Sequence, residues 1–232
     1  MKTRSLFILS AILINLSLQA QEKTVVINEA KGNKENLTRN MYQYPEFVNG
    51  RAFNGDGGIA EARFNYNYVT NQIEFINSKG DTLALVNGAD FNRIALQRDT
   101  FYYQDKQFIQ QVSHYHDYNL FVKRSLLKTN TEKKGAYDTY SGTSSITTLN
   151  DVDVGDRMVR LASDENLIYT FKDNYYLSGK FNQFYPATRK GIYDLFSKNE
   201  KKLKEFLGKN NIDFNKKEDL EHLLEYMRGI VQ

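Results

Sequence analysis

Two histidines that lie two residues apart are the side chains in this sequence best suited to binding a metal ion. His114 and His116 have the spacing at which side chains on a β-strand share a face, and imidazole nitrogens are common zinc ligands. Asp117 follows directly, but on a strand it points to the other face. No third ligand is identifiable. The pair is therefore a candidate for part of a metal site, with a solvated strand end or turn as the alternative, and no cofactor is predicted.

A short acidic segment, residues 150–156, is the second arrangement of possible metal ligands. A calcium loop of the helix–loop–helix kind needs oxygen ligands at positions 1, 3 and 5 and glycine at position 6. Counted from Asp151, position 5 is Gly155 and position 6 is Asp156, so the register fails. The segment is interpreted as an acidic surface turn, with an irregular Ca²⁺ site as the alternative.

Catalytic motifs give no positive signal. The 232 residues contain no cysteine, which excludes a cysteine nucleophile, and no serine lies in the Gly-x-Ser-x-Gly motif of α/β-hydrolases. Paired carboxylates for glycoside hydrolysis are recognised by their separation in space, not from sequence. No catalytic residue is predicted, and the sequence favours a non-enzymatic function.

The first 20 residues have the features of a secretory signal peptide. Lys2 and Arg4 form a positive region, residues 6–16 are mainly apolar, and Ala20 is a small residue suited to cleavage. The apolar run is too short for a membrane span, so the mature chain is expected to have no transmembrane segment. Export to the periplasm or the extracellular space follows. A lipoprotein anchor is excluded because it needs a cysteine.

The composition of the mature chain limits its partners and its means of stabilisation. Removing Lys2 and Arg4 from the 31 basic residues leaves 29, against 28 acidic residues. This near-neutral balance argues against nucleic acid as a partner. With no disulfide available, the hydrophobic core alone must hold the fold.

Residues 60–112 organise the rest of the chain. Their apolar and polar residues alternate, as in Phe64-Asn-Tyr-Asn-Tyr68, which predicts strands with one apolar and one wet face. Turn residues such as Asn87-Gly88 recur every ~8–10 positions, the rhythm of an antiparallel meander. The expected fold class is α+β: an antiparallel β-meander of about 8–10 strands, flat, curled or barrel-like, with C-terminal helices packed on it.

The expected domain organisation has four parts. After the signal peptide at 1–20 comes a polar lead-in at 21–47, with an edge strand at 24–27 and a loop at 31–40. The β-meander domain spans 48–186, and the C-terminal helical segment spans 187–232.

One long polar segment interrupts the meander. Residues 129–150 are rich in Thr, Ser, Gly and Lys, and predict a flexible loop, because such long loops are either disordered or functional. Tyr137 and Tyr140 are its large side chains. They are the candidate ligand-binding residues if the loop acts as a lid.

From Thr188 onward the apolar spacing becomes helical. Two stripes predict a helical hairpin that docks on the free face of the sheet. Ser197 with Glu200, and Asn215 with Glu218, have the spacing of helix-start capping pairs. The stripes are Leu203, Phe206 and Leu207, followed by Leu220, Leu223, Leu224 and Met227.

Four segments together resemble a group of exported β-rich proteins of Bacteroidota-type bacteria for which no activity is known. They are Phe64–Tyr68, Gly80–Leu83, Asp99–Tyr103 and Phe184–Pro186, the last leading into the helices. The resemblance covers most of the mature chain. It implies export and this architecture, and carries over no site residues.

Three functions remain open from the sequence. The leading hypothesis is a non-enzymatic envelope interaction or structural module whose partner is another envelope protein. The alternative is a β-module that binds a small apolar ligand or a saccharide within the curl of the sheet, and the third is an unrecognised enzyme. A deep apolar cavity would favour the alternative, and a filled core would oppose it. The oligomeric state is not indicated.

Overall fold

Residues 24–28, 34–85, 88–134, 140–144, 165–180 and 183–230 are described by the computed structural model. They form a 12-stranded sheet and four α-helices. The strands are β1 Thr24–Asn28, β2 Val48–Asn54, β3 Ile59–Asn67, β4 Gln72–Ile76, β5 Thr82–Ala84, β6 Phe91–Leu96, β7 Asp99–Gln104, β8 Gln107–Tyr115, β9 Tyr118–Lys134, β10 Tyr140–Ser144, β11 Glu165–Ser178 and β12 Phe184–Pro186. The helices are α1 Lys34–Met41, α2 Arg189–Leu195, α3 Glu200–Lys209 and α4 Lys217–Arg228.

The predicted α+β class is confirmed: the sheet is antiparallel, and most of the helices lie in the C-terminal part. The strand order is β1-β11-β9-β8-β7-β6-β2-β3-β4-β5, with β10 paired to β9 and β12 to β11. The sheet does not close, since β1 and β5 lie at opposite ends of this order. It has 12 strands rather than the 8–10 expected, and one strand that was not expected is β10, in the segment interpreted as a loop.

The sheet curls so that its two halves meet. The turn after β3 lies close to β8 and β9, although β7, β6 and β2 separate these strands in the sheet order. Leu126 N donates to Tyr68 O over 2.8 Å, and Phe108 N donates to Asn71 O over 2.9 Å. The curled form left open by the sequence is therefore the one adopted.

The inside of the curl is filled with side chains. Its central residues are at most 2% exposed. The connection from β5 to β6 also passes here: a Cβ added to Gly88 would collide with the rings of Tyr103 and Phe108. The central residues are Ala52, Phe64, Tyr66, Ile73, Ile94, Leu96, Phe101 and Phe108.

One predicted wet face is in fact covered. Asn65 and Asn67, on the polar face of β3, are each 1% exposed. The segment after α1 lies over them: Tyr44 N donates to Asn65 Oδ1 at 3.1 Å, and Asn65 Nδ2 donates to Tyr44 O at 2.9 Å. Amide side chains suit this position because they can form hydrogen bonds with the backbone of the covering segment, whose N–H and C=O groups have no strand partner there.

The lead-in is more ordered than its composition indicated. The edge strand expected at 24–27 is confirmed, since β1 lies at one end of the sheet order and pairs with β11. The loop expected at 31–40 is wrong over residues 34–40, which belong to α1. The helix is held by packing: Met41 is buried with Val25 and Leu126, and Leu37 packs against them.

The long loop expected at 129–150 is also wrong for part of its length. Residues 129–134 continue β9, and residues 140–144 form β10, which pairs with β9. Threonine favours strands through its branched Cβ, and the Thr129 and Thr170 hydroxyls lie 3.0 Å apart across β9 and β11. The signal-peptide residues 1–20, Tyr137 and the acidic segment 150–156 lie outside the described residues.

The C-terminal helices pack on one face of β8, β9 and β11, as predicted. Both expected stripes are buried, apart from the partly buried Leu207. The expected capping pairs do not form: residues 197–199 make a 3₁₀ turn, and neither α3 nor α4 has a side-chain cap. Thr188 instead caps α2, accepting from Gly191 N at 3.2 Å. No helix in the described part of the chain has the length and apolarity to cross a bilayer.

Candidate binding groove

The two histidines singled out by spacing do not share a strand face. His114 lies near the end of β8, where its Nδ1 is 2.7 Å from Asn119 Oδ1. His116 lies in the turn before β9 with φ 54°, and its Nδ1 is 3.3 Å from Asp117 Oδ2. Within the described residues, no three His, Asp or Glu side chains come together as metal ligands.

One of the two candidate lid tyrosines lies in a described strand. Tyr140 begins β10, where its backbone is opposite Lys134 of β9. Tyr137 lies beyond the described residues, and a ligand-binding role for the two tyrosines stays a prediction.

A groove of about 1230 Å³ opens where four parts of the sheet and helices meet. They are residues 39–45 at the end of α1 and beyond it, Tyr68 in the turn after β3, the neighbouring strands β9 and β11, and residues 213–218 at the start of α4. Its lining consists of Arg39, Asn40, Tyr42, Gln43, Pro45, Tyr68, Arg124, Phe171, Lys172, Asp173, Tyr175, Asp213, Asn215, Lys216, Lys217 and Glu218.

An arginine–aspartate pair forms the floor of the groove. Arg124 of β9 lies directly opposite Asp173 of β11. Its Nε and Nη2 donate to the two carboxylate oxygens at 2.7 and 2.6 Å. This bidentate pairing raises the pKa of Arg124. The pair is half exposed, so it presents a fixed guanidinium edge to whatever enters the groove.

Aromatic side chains border this pair. Tyr68 and Phe171 meet edge to face, with ring centroids 5.3 Å apart. The Tyr175 hydroxyl lies 3.4 Å from Asp173 Oδ2. Burial, followed by the charge of Asp173, raises the pKa of Tyr175 to about 12, so this hydroxyl stays protonated at neutral pH.

A third tyrosine of the groove is held by a carboxylate. Tyr42 donates to Glu74 Oε2 at 2.6 Å and packs edge to face on Phe47, with centroids 5.4 Å apart. Burial and this carboxylate raise the pKa of Tyr42. Tyr42 therefore ties the segment after α1 to β4 through Glu74.

The charge of the groove is unbalanced. Five basic side chains line it against three carboxylates. Arg124 and Asp173 neutralise each other, whereas Lys172 and Lys216 form no ion pair with any described residue. The groove therefore offers positive charge to a ligand.

A buried polar network supports the groove from behind. Asn71 Nδ2 donates to the Tyr66 hydroxyl at 2.9 Å and to Arg124 O at 2.7 Å. Ser125 Oγ donates to Asn71 Oδ1 at 2.8 Å, and Tyr66 donates to Phe108 O at 3.0 Å. The network ties the turn after β3 to the backbone that carries Arg124.

One catalytic spacing also occurs here. Ser125 and Lys128 have the Ser-x-x-Lys spacing of some serine hydrolases. Both lie on β9, where residues three apart point to opposite faces, and the Ser125 hydroxyl is committed to Asn71. The pair is therefore not a nucleophile and its base.

Sequence reasoning missed the groove because its parts are distant along the chain. Arg124 and Asp173 are neighbours only through the register of β9 and β11. The sequence does contain two pairs of adjacent charged residues, Lys123-Arg124 and Lys172-Asp173. Without the register of the strands, these residues look like ordinary polar positions on a strand.

Comparison of the chain with protein-family models, with curated proteins and with solved structures returns no match.

Proposed function

We propose that the protein is a non-enzymatic interaction module of the cell envelope, and that the groove receives an acidic segment of a partner protein. The observation that carries the proposal is the groove lining: tyrosine, phenylalanine and arginine side chains beside two lysines that form no ion pair with a described residue. Four separate parts of the described chain hold these side chains.

The residue types fit protein recognition. Tyrosine and arginine are enriched at the centres of protein interfaces and among the residues that dominate binding energy. Here Tyr42, Tyr175 and Arg124 are each held by a carboxylate partner. Little side-chain freedom is lost when a partner binds such a preformed surface.

The excess of positive charge sets the chemistry of the partner. Lys172 lies on β11 and Lys216 lies before α4, and both are exposed. A segment with Asp or Glu residues would place carboxylates near both lysines. Charge complementarity of this kind speeds association and selects among partners.

The filled interior weakens the alternative of a ligand held inside the curl. A small-molecule site needs a cavity of roughly 300–1,000 Å³ with an apolar lining. The residues that point into the curl are at most 2% exposed and pack on one another. We therefore assign recognition to the outside of the sheet.

The test is co-purification from the cell envelope with charge-reversed variants. Lys172→Glu combined with Lys216→Glu is expected to lose a partner that the wild-type protein retains in stoichiometric amount. Lys79→Glu combined with Lys201→Glu is the matched control, because both lysines are exposed and lie outside the groove. A wild-type protein that elutes alone, or equal retention by both variants, would overturn the proposal.

Export is part of the proposal and has its own test. N-terminal sequencing of the protein recovered from outside the cytoplasm is expected to begin near Gln21. Recovery of an intact Met1 would contradict cleavage of residues 1–20.

A further inference from the structure

A second cavity, the aromatic cleft, lies at the ends of β2, β6 and β7. Its volume is about 650 Å³, and it shares no lining residue with the groove. Five half-buried aromatic side chains line it, with Asn54, Asn92 and Arg93 among its polar residues. The aromatic residues are Phe53, Phe91, Tyr102, Tyr103 and Phe184.

The rings of the cleft are held from behind. Tyr102 packs edge to face on the buried Phe121, with centroids 5.3 Å apart, and Phe184 packs on the same ring at 4.9 Å. Tyr103 meets the buried Phe108 at 5.1 Å. Because these contacts fix the rings and leave part of each accessible, the cleft offers preformed apolar faces.

Two guanidinium groups stand on one of these rings. Arg93 Cζ lies 4.5 Å from the Phe53 centroid, and Arg51 Cζ lies 5.7 Å from it. Neither arginine forms an ion pair with any residue that the structure describes; even Glu61, opposite Arg51 in the register of β2 and β3, is not within bonding distance. Stacking orients the planar fork of Arg93, which matches a carboxylate with two parallel hydrogen bonds.

We propose that the aromatic cleft binds an acidic saccharide. The aromatic rings contact the C–H face of a sugar ring, and Arg93 pairs with its carboxylate. An apolar ring face and an anion are present together in a uronic acid unit, which matches both features of the cleft. This site is independent of the groove and its protein partner.

Titration calorimetry with a tetrasaccharide of galacturonic acid tests the proposal, with a galactose tetrasaccharide as the neutral probe. Binding of the acidic probe is expected, and binding of the neutral probe is expected to be weaker by about ten-fold or more, because the neutral probe offers Arg93 no carboxylate for charge-assisted hydrogen bonds. Affinity for the acidic probe should fall as salt is raised.

Two variants and a control locate the site. Arg93→Ala should weaken binding of the acidic probe about ten-fold or more, and Arg93→Lys should give an intermediate loss because it keeps the charge without the fork. Arg63→Ala, an exposed arginine outside the cleft, should bind like wild type.

Three results would overturn the proposal: no binding of the acidic probe, equal binding of both probes, or unchanged affinity in Arg93→Ala. Amide chemical-shift changes that map to residues 171–175 rather than to β2, β6 and β7 would overturn it as well.

Discussion

The inside of the curled sheet and the groove on its outside are both rich in tyrosine and phenylalanine, but they use them differently. Inside, rings such as Tyr66 and Phe101 are fully covered and stack at 5.0 Å. In the groove, Tyr68, Phe171 and Tyr175 are half-buried beside fixed charges. An excess of aromatic residues therefore does not indicate a ligand site until the structure shows which rings keep an accessible face.

The largest expected effect on the free energy of unfolding comes from a buried ring inside the curl. Phe101→Ala should lower the free energy of unfolding by about 3–5 kcal/mol, because it opens a cavity in a close-packed region. Phe171→Ala, its half-buried counterpart in the groove, should cost about half as much or less. Urea denaturation measures both. Equal losses would break the distinction between the two regions.

The next effect concerns the network that joins the two regions. Asn71→Ala should destabilise the protein by about 2–3 kcal/mol, because it leaves the polar groups of Tyr66 and Ser125 without their partner. Asn71 has φ 54°, so Asn71→Gly separates the two causes: glycine adopts this backbone without strain, and should be the less destabilised variant. Thermal or urea unfolding of the pair checks this; identical losses would show that backbone strain is not involved.

The stability of the protein should also depend on pH through one tyrosine in each region. Burial raises the pKa of Tyr66, and burial with Asp173 raises that of Tyr175 to about 12. The pKa of a tyrosine in the unfolded chain is about 10. Stability from these groups is therefore complete below pH 10 and is lost as the pH rises toward the folded-state pKa, by at most about 1.4 kcal/mol per pH unit for each group.

Denaturant unfolding between pH 9 and 12 measures this loss. Tyr66→Phe, although less stable at neutral pH, should show a shallower decline than wild type. The difference in absorbance at 295 nm between wild type and Tyr66→Phe should show Tyr66 ionising above the usual pH range of tyrosine, because burial raises its pKa. Stability that does not change across this range would contradict the burial of both hydroxyls.

The smallest effect belongs to the floor of the groove. A double-mutant cycle on Arg124→Ala and Asp173→Ala should give a coupling energy of about 1 kcal/mol or less, since the pair is half exposed and screened by solvent. The coupling should shrink further in high salt. A coupling of several kcal/mol would show that the pair is a structural element of the fold rather than a surface held ready for a partner.

Sequence reasoning reached the fold class and the helical stripes because each depends on short-range periodicity. Leu220, Leu223 and Met227 are spaced for one helix face, whatever that face meets. It failed at α1, whose polar residues form a helix only because Leu37 and Met41 pack on β1 and β9. It also failed at residues 129–134, whose strand character depends on pairing with a distant segment.

The candidate site was less predictable than the fold. The groove and the aromatic cleft join residues from separate elements through strand register, and no local pattern encodes which pairs face each other. The histidine pair was conspicuous in the sequence because its two members are close along the chain. In the structure, the turn between β8 and β9 separates their directions.

The pairing of β1 with β11 has a consequence for the order in which the fold can assemble. Thr24 lies opposite Thr170, so β1 cannot pair in the sheet until most of the chain has been made. When the chain is made from its N-terminus, β1 is made first and has no pairing partner until β11 has been made. Contacts so distant along the chain slow folding, and we expect β1 to dock last and to be the first strand released when the protein unfolds.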